Sequence, residues 1–289
     1  MDCPKCGTKS TDILSCSQCG IVFSKFESSK SQKFHVERQK QLEELSLPHH
    51  AVWWVELGFP ILAFTLSPIL FWMFPSLRWA TSMWIHEFGH AFAGWFGGVA
   101  ATSFLGWTSL SSERSWMVTL CFTVLIALLG YLSWKKQSYF LVATFVCMFL
   151  AQIYFRFFVT YGELQWMFSY MGIGGEFWIS TWFLIAYHHR FPEETYWRML
   201  RYPVAFAGAF TFYHIFHLWL GVQAGRRDIP WGSLWGDSGD MDVLRDEWLW
   251  TPQMITSSYI KLGYLCIAIM ISHYLFQVVR KIMKPTTLI

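Results

Sequence analysis

The stretch MWIHEFGHAFAGWFGG, residues 83 to 98, sets His86, Glu87 and His90 inside an apolar run. Two histidines four residues apart lie on one helix face, one turn from each other, so both imidazoles reach one ion while Glu87 stays outside the ligand set. The chemistry this pattern serves is hydrolysis. A zinc ion held by neutral imidazoles brings the pKa of its water towards neutrality, and a neighbouring carboxylate takes the proton as the water attacks a carbonyl. Three fixed positions also recur by chance, and a lone interior histidine is more often a satisfied polar residue than a ligand. Ionisable groups within a membrane segment, however, are expensive and usually functional.

The run HEFGHAFAGWFGG resembles the first motif of the site-2-protease-like intramembrane zinc metalloproteases, in which a membrane helix carries the motif and small residues lead to a glycine pair and a membrane-associated loop. GVAATSFLGWTSL fits such a loop. The resemblance covers roughly thirty of 289 residues. It implies hydrolysis of peptide bonds in or near the bilayer, with a catalytic Zn2+, His86 and His90 as ligands and Glu87 as base. The chain departs from that family at the third ligand, an aspartate within an Asn-Pro-Asp-Gly or Leu-Asp-Gly motif: this sequence has no asparagine and no Leu-Asp-Gly.

A catalytic zinc needs a third protein ligand and an open position. The first candidate is Glu176 in MGIGGEFWIS, expected at the mouth of an apolar helix behind glycines that let another backbone approach. Its competing role there is a helix N-terminal glutamate favoured by the dipole. The second candidate is the acidic loop WGDSGDMDVLRDE, with Asp237, Asp240 and Asp242. His214 and His217, at i and i+3 on a later helix, form a third option. His188 and His189 beside Arg190 read as interfacial, as do Arg156 and Glu56 near segment ends. Cys121, Cys147 and Cys266 read as small buried hydrophobes.

A second metal signal opens the chain. CPKCGTKSTDILSCSQCG holds Cys3, Cys6, Cys16 and Cys19 as two Cys-x-x-Cys pairs. Such pairs aim four thiolates at one ion and resemble a zinc ribbon, a closed structural Zn2+ site that a piece this small needs in order to fold. Two disulfides are the alternative, disfavoured by the paired spacing and by the reducing cytosol this module is expected to face. The ribbon's expected use is docking or sensing of a cytosolic protein partner.

These sites need elements to position them. Hydrophobic residues make up 54% of the chain and charged residues 14%, against about a quarter in soluble domains, so the composition is that of a membrane protein. The organisation reads as a zinc ribbon over 1–24, a charged linker over 25–51 and a transmembrane metalloprotease-like domain over 52–289. The start is too polar for a cleavable signal peptide, so the first apolar run is expected to do the targeting. A net charge of +3, scattered along the chain, excludes an argument for nucleic acid.

The expected fold is an all-α polytopic domain of six or seven membrane segments, at about 52–75, 79–98, 116–134, 138–160, 172–189, 203–222 and 257–279. Lys25, Lys30, Lys33, Arg38 and Lys40 place the N-terminus in the cytoplasm of a cell (inner) membrane. Lys135 and Lys136, then Arg190, Arg198 and Arg201, then Arg280, Lys281 and Lys284 join that side only if 79–98 adds no net crossing. It does so by being re-entrant or by pairing with a return through 99–113. The charge rule thus singles out the segment that carries the histidines.

The leading expectation is an intramembrane zinc metalloprotease acting on membrane-protein or peptide substrates in the lipid bilayer. The alternative is a non-catalytic membrane zinc-binding protein of regulatory or chaperone-like kind. A zinc transporter would need charged groups along a path through several helices, and here they gather on one segment.

Overall fold

The computed structural model describes residues 49–104, 106–189, 194–232 and 238–283, with eight single positions nearer the N-terminus (3, 6, 8, 9, 15, 18, 19 and 22). Two units divide the chain, Met1–Val55 and Glu56–Ile289. In the first, Ser15 and Val22 form an isolated antiparallel bridge, and Cys3 N–H donates to the Thr8 carbonyl at 2.9 Å. The expected linker lies outside the described residues up to residue 48.

The elements are α1 (His49–Met73), α2 (Pro75–Phe96), β1 (Val99–Phe104), β2 (Trp107–Arg114), α3 (Trp116–Lys135), α4 (Tyr139–Phe157), α5 (Tyr161–Ala186), α6 (Glu194–Gln223), α7 (Asp240–Asp246) and α8 (Pro252–Met283). Five of them, α1 from Val55, α3, α4, α6 from Met199 and α8, are long and apolar enough to cross a membrane. The outward faces of α3 and α4 expose Trp116, Leu120, Val124, Leu128, Val146, Leu150 and Phe157, a continuous apolar surface that suits lipid and not water. Cys121 and Cys147, expected as buried, are exposed on these helices, whereas Cys266 is fully buried.

One β element interrupts the expected all-α domain. Residues assigned to a loop after the glycine pair form an antiparallel hairpin in which Ala101 faces Leu110 and Thr102 faces Ser109, and Gly106 turns the chain at φ +83°. Val99 pairs with Arg114, and Ser115 N–H donates to the Gly98 carbonyl at 2.7 Å. The chain leaves and rejoins at one point, so 99–113 supplies no return passage.

Contacts sort the helix ends into two groups. At one end Lys281 pairs with Glu56, the Ser138 hydroxyl meets His189 at 3.1 Å, and His189 meets His273 at 3.1 Å. This gathers the start of α1, the α3–α4 connection and the ends of α5 and α8. At the other end Arg114 donates to the carbonyls of Arg156 and Val159 at 3.0 and 2.6 Å, and Leu164 fills the space beside Gly97. From the first group to the second the chain passes through both α1 and α2. The two helices together therefore make one net passage.

The tightest packing in the bundle is between α2 and α5, which run antiparallel. A Cβ on Gly89 would overlap the Met171 carbonyl, and one on Gly175 would overlap the Gly89 backbone. From the sequence this glycine run is expected at the mouth of a helix. It lies instead inside α5, where missing side chains let the α2 backbone sink against it. Glu176 is thus a mid-helix residue, ten positions or about 15 Å from the Ala186 end at 1.5 Å per residue.

Candidate metal centre

His86 and His90 stand one turn apart on α2 with ring centroids 4.9 Å apart. Each ring is oriented through Nδ1. His86 Nδ1–H donates to Glu176 Oε1 at 3.0 Å, and His90 Nδ1–H donates to the Phe168 carbonyl at 2.6 Å. Both Nε2 lone pairs then point to one place. Asp240 Oδ2 lies there, 3.0 Å from His86 Nε2 and 3.2 Å from His90 Nε2.

The three ligand atoms lie close enough together to hold one metal ion. Ligand atoms about 2.0–2.1 Å from a tetrahedral zinc stand roughly 3.3 Å from each other, so the spacing fits one small ion held by two imidazoles and a carboxylate. The donor set and the fixed Nδ1 partners both match a metal site.

Asp240 reaches this place because α7 is seated by its apolar residues. Met241 and Leu244 of this short helix are fully buried in the cluster of Phe177, Trp219, Ile255 and Tyr259. Asp242 Oδ2 accepts from the N–H groups of Gly232 at 2.6 Å and Gly239 at 3.0 Å, which ties Gly232 to the start of α7. Gly172 makes the room: a Cβ there would come within 2.5 Å of Asp240 Oδ2 and 2.6 Å of His86 Nε2.

Glu87 is buried, and its carboxylate accepts from the Thr108 hydroxyl of β2 at 2.6 Å; the same hydroxyl lies 2.9 Å from the Glu87 carbonyl. The hairpin thus reaches back to the residue between the two histidines. No feature of the sequence marked Thr108.

The other sequence candidates fall elsewhere. Glu176 meets His86 at Nδ1, on the ring edge opposite Asp240. Asp237 lies outside the described residues. His214 and His217 pack against Phe71, with centroids 5.7 and 5.3 Å away, and stay out of the cluster. His189 is buried among Ser138, His273 and the stacked ring of Phe140. Arg156 covers the Trp116 ring at 4.3 Å.

In the N-terminal unit the thiols of Cys3, Cys6 and Cys19 lie within one metal-sized cluster. Cys3 Sγ and Cys19 Sγ are 3.6 Å apart. A disulfide requires about 2.05 Å, whereas thiolates about 2.3 Å from a tetrahedral zinc stand roughly 3.8 Å apart. Bonds from Thr8 hold the Cys6 thiol down to about 6, which favours the thiolate a metal needs. Cys16 lies outside the described residues.

Comparison with protein-family models, with curated proteins and with solved structures gave no significant match.

Proposed function

We propose that this chain is an intramembrane zinc metalloprotease in which His86, His90 and Asp240 hold the catalytic ion and Glu87 is the general base. The observation that carries the reading is the meeting of both Nε2 atoms with Asp240 Oδ2, inside a helical bundle and one residue from a buried glutamate. The motif's resemblance to site-2-protease-like enzymes supports it. A zinc ion bound there would supply Lewis acidity to a water and to the scissile carbonyl. His86 and His90 would hold it as neutral ligands, their Nδ1 protons committed to Glu176 and Phe168. Glu87 would take the proton of the attacking water and return it to the leaving nitrogen. The bundle walls would keep other water from the site.

The same reading gives the Cys3, Cys6, Cys16 and Cys19 unit a structural zinc and a docking role towards a cytosolic partner. The chain then sits in the cell membrane with its N-terminus in the cytoplasm.

A second reading, a zinc-binding regulator without hydrolysis, is favoured by one contact: the Glu87 carboxylate is already engaged by Thr108. One experiment separates the two. Purified full-length protein is assayed for zinc per chain and for cleavage of a detergent-solubilised transmembrane peptide. Glu87→Gln is expected to keep both zinc ions and lose cleavage, and Asp240→Ala to lose one zinc ion and cleavage together. Cleavage that survives in Glu87→Gln would remove the base assignment; a wild type that binds zinc but cuts no peptide in a broad set would favour the regulator.

A further inference from the structure

Glu176 is 4% exposed and sits in the middle of α5, where an unpaired carboxylate would be costly. Two groups of α2, one turn apart, face it. His86 Nδ1–H donates to Oε1 at 3.0 Å, and the hydroxyl of Ser82, itself 7% exposed, donates to Oε2. Each oxygen therefore has its own donor, and the carboxylate plane is fixed by a pair of residues rather than by one. His90 has no such arrangement, because its Nδ1–H goes to the neutral carbonyl of Phe168.

We propose that Ser82 and Glu176 are positioning residues that set the tautomer, orientation and basicity of His86, and that Glu176 is not itself a ligand of the ion. This rests on the metal-centre reading above. A ligand to an ion at Nε2 must approach from the Nε2 edge of the ring, and there Asp240 lies 3.0 Å away. Glu176 meets the opposite edge. An anion accepting the Nδ1 proton makes the other nitrogen a stronger donor to a metal, so the two histidines are unequal ligands: His86 is strengthened by charge and His90 is only oriented. Ser82 serves this by occupying Oε2, which keeps Oε1 directed at the ring.

The test is a competitive zinc titration of the full-length protein, in which the N-terminal cysteine site is an internal reference. His86→Ala assigns the membrane site by deleting it. Glu176→Gln keeps the shape and an oxygen acceptor but removes the charge. It is expected to weaken the membrane site by about 10- to 100-fold, the range for partners of ligating histidines, while full occupancy is still reached at saturating zinc. Ser82→Ala should weaken the site by a smaller factor and Ser82→Thr should restore it, with the reference site unchanged throughout. The cobalt-substituted site should keep its ligand number in all three variants. Affinity unchanged in Glu176→Gln would overturn the inference, as would loss of the site as complete as in Asp240→Ala, which would make Glu176 a ligand. A His86→Ala protein that keeps both zinc ions would instead remove the metal-centre reading, and the inference with it.

Discussion

The contact between Thr108 and Glu87 joins the hairpin to the proposed base, and its sign can be decided by experiment. A hydroxyl donating to a carboxylate contributes about 1.5–3 kcal/mol, enough to fix which way the Glu87 side chain faces. If that orientation is the working one, Thr108→Val should lower the cleavage rate by about tenfold or more, and Thr108→Ser, which keeps the donor, should restore it. Zinc content should be the same in all three proteins, since Thr108 contacts no proposed ligand. Faster cleavage by Thr108→Val would mean the opposite, that the bond holds the base away from the water until the hairpin moves. The contact joins residues 21 positions apart, on a helix and a strand.

At the scale of elements, the site exists because two helices approach more closely than side chains allow. Gly172→Ala would put a methyl group against Asp240 Oδ2 and His86 Nε2, and Gly175→Ala would press on the Gly89 backbone. The first is expected to lose the membrane-site zinc and the second to lower the melting temperature. Gly174→Ala serves as the control, because the nearest atoms to its methyl would be side-chain atoms of Tyr170 and Met171 at 3.2–3.4 Å, which can give way, rather than backbone. There the gain of about 0.5–1 kcal/mol from replacing a helical glycine should leave stability equal or higher. Zinc per chain and thermal melts of the three proteins decide it, and equal behaviour would count against the packing argument.

These elements also show where sequence reasoning reached and where it stopped. The spacing of His86, Glu87 and His90 is local, and it was legible. The glycines were legible as a close approach but not as mid-helix residues, because a glycine run marks a turn as readily as a groove. Asp240 was one of three acids in a loop. What selects it is the seating of Met241 and Leu244, a pairing at i and i+3 that is too short to stand out. The hairpin was missed because Ala101, Ser103, Ser109 and Ser111 give its strands almost no apolar alternation.

At the scale of the molecule, charge and packing bear on the same question from different directions. Lys135, Lys136, Arg280 and Lys281 fall at the bundle end where the α3–α4 connection meets the ends of α5 and α8, and Glu56 at the start of α1 is there as well. Positive residues hold their side in the cytoplasm, so this end should be cytoplasmic and the hairpin junction should face the other way. That arrangement requires α1 and α2 together to count once. Epitopes inserted at the N-terminus, after Val159 and after Gln137 of the full chain test it in intact and opened cells. The first and third should be reached by antibody only after opening, and the second in intact cells. Were the N-terminal and Gln137 epitopes to lie on opposite faces, α2 would be a separate full crossing and the bundle-end contacts would not describe the protein in its membrane. With the expected result, α2 starts within the bundle rather than at its surface. His86 and Asp240 then lie at bilayer depth, with the chain ahead of them never having to emerge on the far side before the motif begins.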